Sequence, residues 1–336
     1  MNNSTKLYVM NAVNERVKQD KHLAWLPDNI IFLSVHGSIS YGLNIETSDI
    51  DMTGVCIPPI KYFLGFEDNL EQVQFTKPDG QIYGIQKFLR LAADNNPNVM
   101  ELLWLDRQYW IYSSLIWEKL VKKRDLFLSK RVRYTYSGYA IAQLKRIETH
   151  RKWLLDPPTC APTREKFNLP PDRIMSHDQQ GALDQLVTDG KVSLEDNFML
   201  LLQKEHEYDR AKQSWKQYET WVATRNPARA ENEKKFGYDT KHAAHLVRLI
   251  SQCFEILKNG TLHVDRSDLD KELLLGIRNG AWTYNELRNW VVDNASDENL
   301  DDNMEKSSLP HSVDKHKISE LCVDIVEEFL YNEKKL

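Results

Sequence analysis

Asp49-Ile50-Asp51 begins eleven residues beyond a Gly37-Ser38 pair, and each motif adjoins a stretch with strand character. Asn29 to Val35 is short, apolar and β-branched, and predicts one strand. Ile50 to Ile57 alternates and predicts a second, ended by Pro58-Pro59. Residues two apart on a strand point to the same face, about 7 Å apart along the chain, so Asp49 and Asp51 share a face. Carboxylates that close repel one another and become tolerable when a divalent cation sits between them. Mg²⁺ takes one or two protein carboxylates and fills its remaining positions with water and phosphate oxygens. Two-metal phosphoryl-transfer sites hold their ions ~3.5–4 Å apart, a span that such a pair can bracket. A strand that ends in Gly-Ser and enters a helix exposes backbone N–H groups, which with the Ser38 hydroxyl can grip the phosphates of an NTP. Asp-x-Asp alone is common in surface turns, and Gly-Ser is weaker still; their combination between two strands is far more specific.

The remaining pattern predicts an α+β fold, a small mixed sheet followed by a mostly helical region. Thr5 to Val17 predicts an amphipathic helix, and Glu71 to Thr76 and Gln81 to Ile85 predict strands joined by a turn at Pro78-Asp79-Gly80. Helices are expected at Lys87–Ala93, Asn98–Leu105, Ser114–Lys123 and Tyr134–Leu155. Five prolines between Asp156 and Pro171 make that stretch a linker or lid-like loop. Beyond it the pattern is helical at Leu183–Val187, Glu195–Thr224, Asp239–Lys258, Asp268–Gly276, Thr283–Asp293 and Val313–Tyr331, with Asn226–Gly237 read as a loop.

Charge narrows the partners. The net charge of −5 argues against a generic nucleic-acid binder. Yet Lys122 to Lys152 holds ten Lys/Arg against Asp125 and Glu148, while Asp293 to Glu305 is acidic. A local basic stripe can bind phosphates in an acidic protein. Four scattered cysteines without a CxxC pair predict reduced core residues in a cytosolic protein. The polar N-terminus and the short apolar runs predict neither signal peptide nor membrane span, and hence a cytoplasmic protein of a bacterial or phage-infected cell.

Gly37-Ser38 followed by Asp49-x-Asp51 resembles the nucleotidyltransferase signature of the DNA polymerase beta superfamily. The likeness is closest to the bacterial and phage nucleotidyltransferases of an RNA-repair-pathway polymerase-beta family. Gly37–Pro59, Lys87–Trp104, Phe127–Ile147 and Gly237–Leu249 are the segments that look alike. The resemblance implies a nucleotidyltransferase core over 1–112, with helical residues 113–336 completing the cleft. It implies Mg²⁺ or Mn²⁺ on Asp49 and Asp51, and an NTP at Gly37, Ser38, Ser40 and Tyr41. Such proteins usually carry a third carboxylate on a neighbouring strand, which binds metal and accepts the attacking hydroxyl's proton. The matching region near Gln81 to Gln86 is neutral, so Asp79 is the choice and Glu71 the fallback, although Asp79 beside Gly80 also reads as a plain turn residue.

Three further groups carry two readings each. Asn95-Asn96-Pro97-Asn98 reads first as a helix start and second as a nucleotide contact, with Glu101 within reach of a metal. Lys241, His245 and Arg248 share one helical face, which is either a solvated basic face or a clamp for triphosphate oxygens; the matching Gly237–Leu249 segment favours the clamp. His242 and His245 lack a third ligand, so they do not predict zinc. Lys130, Arg131 and Arg133 with Tyr136 suit RNA, through charge and stacking, or equally a surface helix with buried tyrosines. The expected activity is NMP transfer from an NTP to a hydroxyl, on RNA such as a tRNA end, with release of pyrophosphate. Transfer to a protein or small molecule, and a catalytically lapsed nucleotide- or RNA-binding protein, are the alternatives.

Overall fold

The computed structural model describes residues 3–46, 48–66 and 70–333. The strands are β1 (Ile30–His36), β2 (Asp51–Cys56), β3 (Gln72–Thr76), β4 (Asp79–Gly84) and β5 (Trp110–Ser113). They form one mixed sheet in the order β3-β4-β2-β1-β5. β2 runs parallel to β4, and the other neighbours are antiparallel. β1 and β2 are buried almost throughout, as suits central strands with neighbours on both sides. β3 alternates buried and exposed, as suits an edge.

Helices cover both faces of the sheet. In order they are α1 (Asn3–Gln19), α2 (Leu26–Asn29), α3 (Lys61–Leu64), α4 (Ile85–Ala93), α5 (Pro97–Trp104), α6 (Leu115–Lys122) and α7 (Val132–Leu155). There follow α8 (His177–Thr188), α9 (Asp196–Thr224), α10 (Pro227–Phe236) and α11 (Thr240–Asn259). The last four are α12 (Lys271–Arg278), α13 (Tyr284–Asn294), α14 (Asp297–Lys306) and α15 (Lys315–Glu333). Val9 and Val13 of α1 and Leu26 of α2 pack with Leu33, Met52, Val73, Phe75 and Ile82 on one side of the sheet. On the other side Phe32 stacks on Trp117 of α6 at 4.0 Å, and Phe88 of α4 meets the same indole edge-on. The fold is thus α+β, with the sheet early in the chain and helix dominating after it.

The chain forms two compact units, one made of the residues up to Arg146 together with those from Thr240 onward, the other of Ile147–Asp239. The first holds the sheet, α1 to α6 and α11 to α15. Within the second, Arg164 pairs with Glu205 and Arg173 with Asp209, and Trp153, Tyr218 and Trp221 cluster beside His150.

Three local expectations need correction. Asn226–Gly237 is not a loop but holds α10, capped by the Asn226 side chain, started by Pro227 and stopped by Gly237 at φ +77°. Gly37-Ser38 does not enter a helix, because residues 37–42 form a run of turns. β5, too short to show in the pattern, flanks β1. Cys56 and Cys253 are buried free thiols, while Cys160 is exposed. Among the described residues, no helix is long and apolar enough to cross a membrane.

Candidate active site

Three carboxylates gather at one end of the sheet. Asp51 is the first residue of β2 and stands opposite His36, the last of β1. On its other side the parallel register pairs Asp51 with Asp79, the first residue of β4. Asp79 is therefore a strand residue beside Asp51, about 4.8 Å away in the hydrogen-bonding direction, and not a turn residue. Asp49 precedes the strand and is exposed. Burial raises the Asp51 pKa above the ordinary carboxylate value, Asp79 and Asp49 push it the same way, and Lys241 of α11 opposes them. Three acids facing one Lys are an arrangement that a cation relieves.

The turn above these acids is shaped around them. Gly37 sits at φ +69°, and a Cβ there would come 2.2 Å from Asp51 Oδ2, so only glycine lets the backbone pass this close. Ser40 is buried, and its hydroxyl donates to the Gly37 carbonyl at 3.0 Å. Leu43 N–H donates to Ser38 O at 2.9 Å. The turn is tied from later in the chain as well: Arg266 N–H donates to Tyr41 O at 3.0 Å and Arg278 to Leu43 O at 2.9 Å. Ser38 is only partly buried.

Behind the turn lies a closed cluster of charge. The Tyr41 hydroxyl donates to Glu101 Oε2 at 2.7 Å, and the Arg248 guanidinium lies 3.7 Å from the Tyr41 ring centroid. Arg248 pairs with Glu101, donates to Gln252 Oε1 at 3.1 Å and lies 3.0 Å from His245 Nδ1. His36 Nε2 is 3.5 Å from Glu101. Burial alone would raise the Glu101 pKa; Arg248, His36 and Tyr41 overcome it and hold the acid ionised below its usual range. Burial, helped by Arg248, lowers the His245 pKa to about 3. His36 is also lowered, by burial first and Arg248 after it, against the pull of Glu101.

The expected site residues therefore divide. Gly37, Ser38, Asp49, Asp51, Asp79 and Lys241 come together at one face. Ser40 and Tyr41 point inward and fasten the turn. Arg248, 2% exposed, is committed to Glu101, and His245 is neutral, so of the expected clamp only Lys241 brings positive charge towards Asp51. Asn96 caps α5, as its sequence suggests, while Glu101 faces Arg248 and not the carboxylates. His36 and Gln252 carried no role in the sequence reading. A histidine immediately before the Gly-Ser pair was the one available signal for the first; the second is legible only once α11 is placed.

Part of the basic stripe is answered by the acidic segment. Arg133 is buried and bonds Asp301 at 2.6 Å and Asp297 at 2.7 Å on α14. Tyr136 is wholly buried and offers no face to a base. Arg131 lies 3.5 Å from Asp94 at the surface, and Lys130 Nζ lies 3.5 Å from Glu305 O. The exposed aromatic rings there are those of Tyr134 and Tyr139.

Residues 8–155 match the model of a family described as an RNA repair pathway DNA polymerase beta family. The chain is 26% identical over 125 residues to an uncharacterized 38.9 kDa protein from the nrdC-mobD intergenic region of Enterobacteria phage T4. That similarity covers 34% of this chain and spans 37% of the phage protein's length. No solved structure matches the chain. The stretch matched by that family model contains the turn at Gly37 and all three carboxylates, Asp49, Asp51 and Asp79.

Proposed function

We propose that the chain is a metal-dependent nucleotidyltransferase that moves an NMP from an NTP, ATP among the candidates, to an acceptor hydroxyl. The observation that carries this reading is the register of Asp51 with Asp79, with Asp49 adjoining and the Gly37 backbone packed against the Asp51 carboxylate. The donor set fits Mg²⁺ or Mn²⁺: hard oxygen ligands of like charge, partly exposed, beside a turn able to present N–H groups to phosphate. Asp49 and Asp51 would hold the ion, which supplies charge neutralisation at the phosphates. Asp79 takes the proton of the attacking hydroxyl. The acceptor oxygen forms a bond to the α-phosphorus, the bond to the bridging α–β oxygen breaks, and pyrophosphate leaves. Ser38 and the Gly37 backbone hold the triphosphate on one side and Lys241 on the other, where charge builds on the departing group.

RNA is the acceptor that the family description favours. The burial of Arg133 and Tyr136 favours a second reading, transfer to a protein side chain or small molecule in the cytoplasm, because it removes half of the expected RNA contacts. Incubation of the protein with each labelled NTP and Mg²⁺ in the presence of total RNA, total protein or a metabolite pool decides between them. Label entering RNA, lost in Asp51→Asn, supports the first reading. Label in another pool supports the second, and no transfer to any pool overturns both.

A further inference from the structure

The unit formed by Ile147–Asp239 carries a polar constellation of its own. His150 lies near the end of α7, Glu233 in the last turn of α10, and Asp239 just before α11. A ring nitrogen of His150 and one carboxylate oxygen each from Glu233 and Asp239 all lie within 4.8 Å of one another. Glu233 and Asp239 are 2% and 1% exposed, so two carboxylates face each other out of reach of bulk water. Glu233 divides its oxygens: Oε2 accepts from Arg225, while Oε1, fully enclosed, has no hydrogen-bond donor. Arg229 Nε lies 3.8 Å from Asp239 Oδ2. The imidazole of His150 is held between Trp153 and Trp221, at 5.8 and 5.4 Å between ring centroids.

We propose that His150, Glu233 and Asp239 form a binding site for a divalent transition cation of the Zn²⁺ type, distinct from the Asp49–Asp51–Asp79 site. One imidazole with two carboxylates suits Zn²⁺, Mn²⁺ or Co²⁺ better than Mg²⁺, which takes oxygen ligands and keeps its water. Ligands at about 2.0–2.2 Å from a tetrahedral ion stand ~3.4 Å apart, so small side-chain movements close the present arrangement onto one. Three protein ligands leave a fourth position for water or another ligand. Arg225 on the outer oxygen of Glu233 does what outer partners of ligating carboxylates do elsewhere: it orients the ligand. The alternative relief for two buried carboxylates is a shared proton. A cation employs all three groups at once, at the mutual spacing they already have.

The site can be read apart from the catalytic one by using the full-length Asp49→Asn, Asp51→Asn protein, freed of metal by a chelator. Zn²⁺ titrated by calorimetry is expected to bind at one ion per chain and to change the tryptophan emission, since Trp153 and Trp221 flank His150. In the same background Glu233→Gln and His150→Ala should each weaken binding at least about tenfold while circular dichroism stays native. If Glu233→Gln fails to fold, Asp239→Asn takes its place beside His150→Ala. Absence of saturable binding, or affinity unchanged in either folded variant, overturns the proposal. None of these outcomes depends on whether the protein transfers nucleotides.

Discussion

The two sides of the Gly37–Leu43 turn treat charge in opposite ways. In front, Asp49, Asp51 and Asp79 are exposed to differing degrees, all of one sign, with Lys241 as the opposing charge acting on Asp51. Behind, Glu101 and Arg248 are opposite charges shut away from water, each hydrogen-bonded by neighbours. A like-charge group left open is unstable by itself and gains by capturing a cation. A closed pair contributes little net attraction after desolvation, yet losing either member strands a buried charge. The front is therefore arranged to take something up, and the back to keep the turn in one place.

The sharpest way to break that contrast is to neutralise one acid on each side. Asp49→Asn or Asp51→Asn should lower transfer by at least about a thousandfold, on the order of 4 kcal/mol in the barrier. Thermal unfolding should stay near that of the unaltered protein, because a repulsive carboxylate is removed. Near-normal turnover of either variant with Mg²⁺ would remove both residues from the chemistry. At the back the effect should reverse: Arg248→Met should reduce stability by about 3–5 kcal/mol, since Glu101 is left buried without its partner charge. Adding Glu101→Leu to Arg248→Met should recover much of that loss in denaturant unfolding. If the single variant unfolds like the unaltered chain, the buried pair is not what holds the turn.

These partners mark where the sequence stopped being informative. β1 to β4 and most helices follow from strand alternation, proline stops and helical spacing, local properties of the chain. α10 escaped because its segment PARAENEKKF shows little apolar face, although Asn226-Pro227 and Gly237 are start and stop signals. Asp79 was legible as a residue but not as a neighbour of Asp51, which only the β2–β4 register establishes. The burial of Arg133 depends on Asp297 and Asp301, more than 160 residues on, and no spacing rule reaches that far. Arg248 has the helical spacing of a surface clamp, and its partner Glu101 lies 147 residues earlier.

Acid titration sharpens the comparison further. His245 has its pKa lowered from 6.5 to about 3, so the unfolded chain binds its proton first. Stability from keeping this ring neutral is present above about pH 6.5 and drains away as the pH falls towards 3, at up to ~1.4 kcal/mol per pH unit. Glu101 adds to the same acid limb, because its depressed pKa contributes stability above the usual carboxylate range and loses it as protonation sets in. His245→Gln should flatten the limb between pH 6.5 and about 3; an unchanged slope in urea titrations would show that the ring is not kept neutral. The smallest effect is expected at the stripe. Neutralising Lys130 and Arg131 together should reduce the salt dependence of any RNA binding by about 1–2 in log–log slope. Arg133→Ala should act on stability and leave that slope unaltered, and the reverse result would mean that the α14 contacts open in solution.

The chain order of the turn's fastenings has a consequence for how the protein is made. The Gly37 turn leaves the ribosome before its fastenings: Arg248, Arg266 and Arg278, which secure it, follow the turn by more than 200 residues. At about 5–20 residues per second, the nascent acids wait roughly ten to fifty seconds for their supports. A chain cut short at residue 155 would retain the whole region matched by the family while lacking the guanidinium that Glu101 requires. The turn is thus fully fastened only once these later residues are made, and a chain terminated before them is born without its supports.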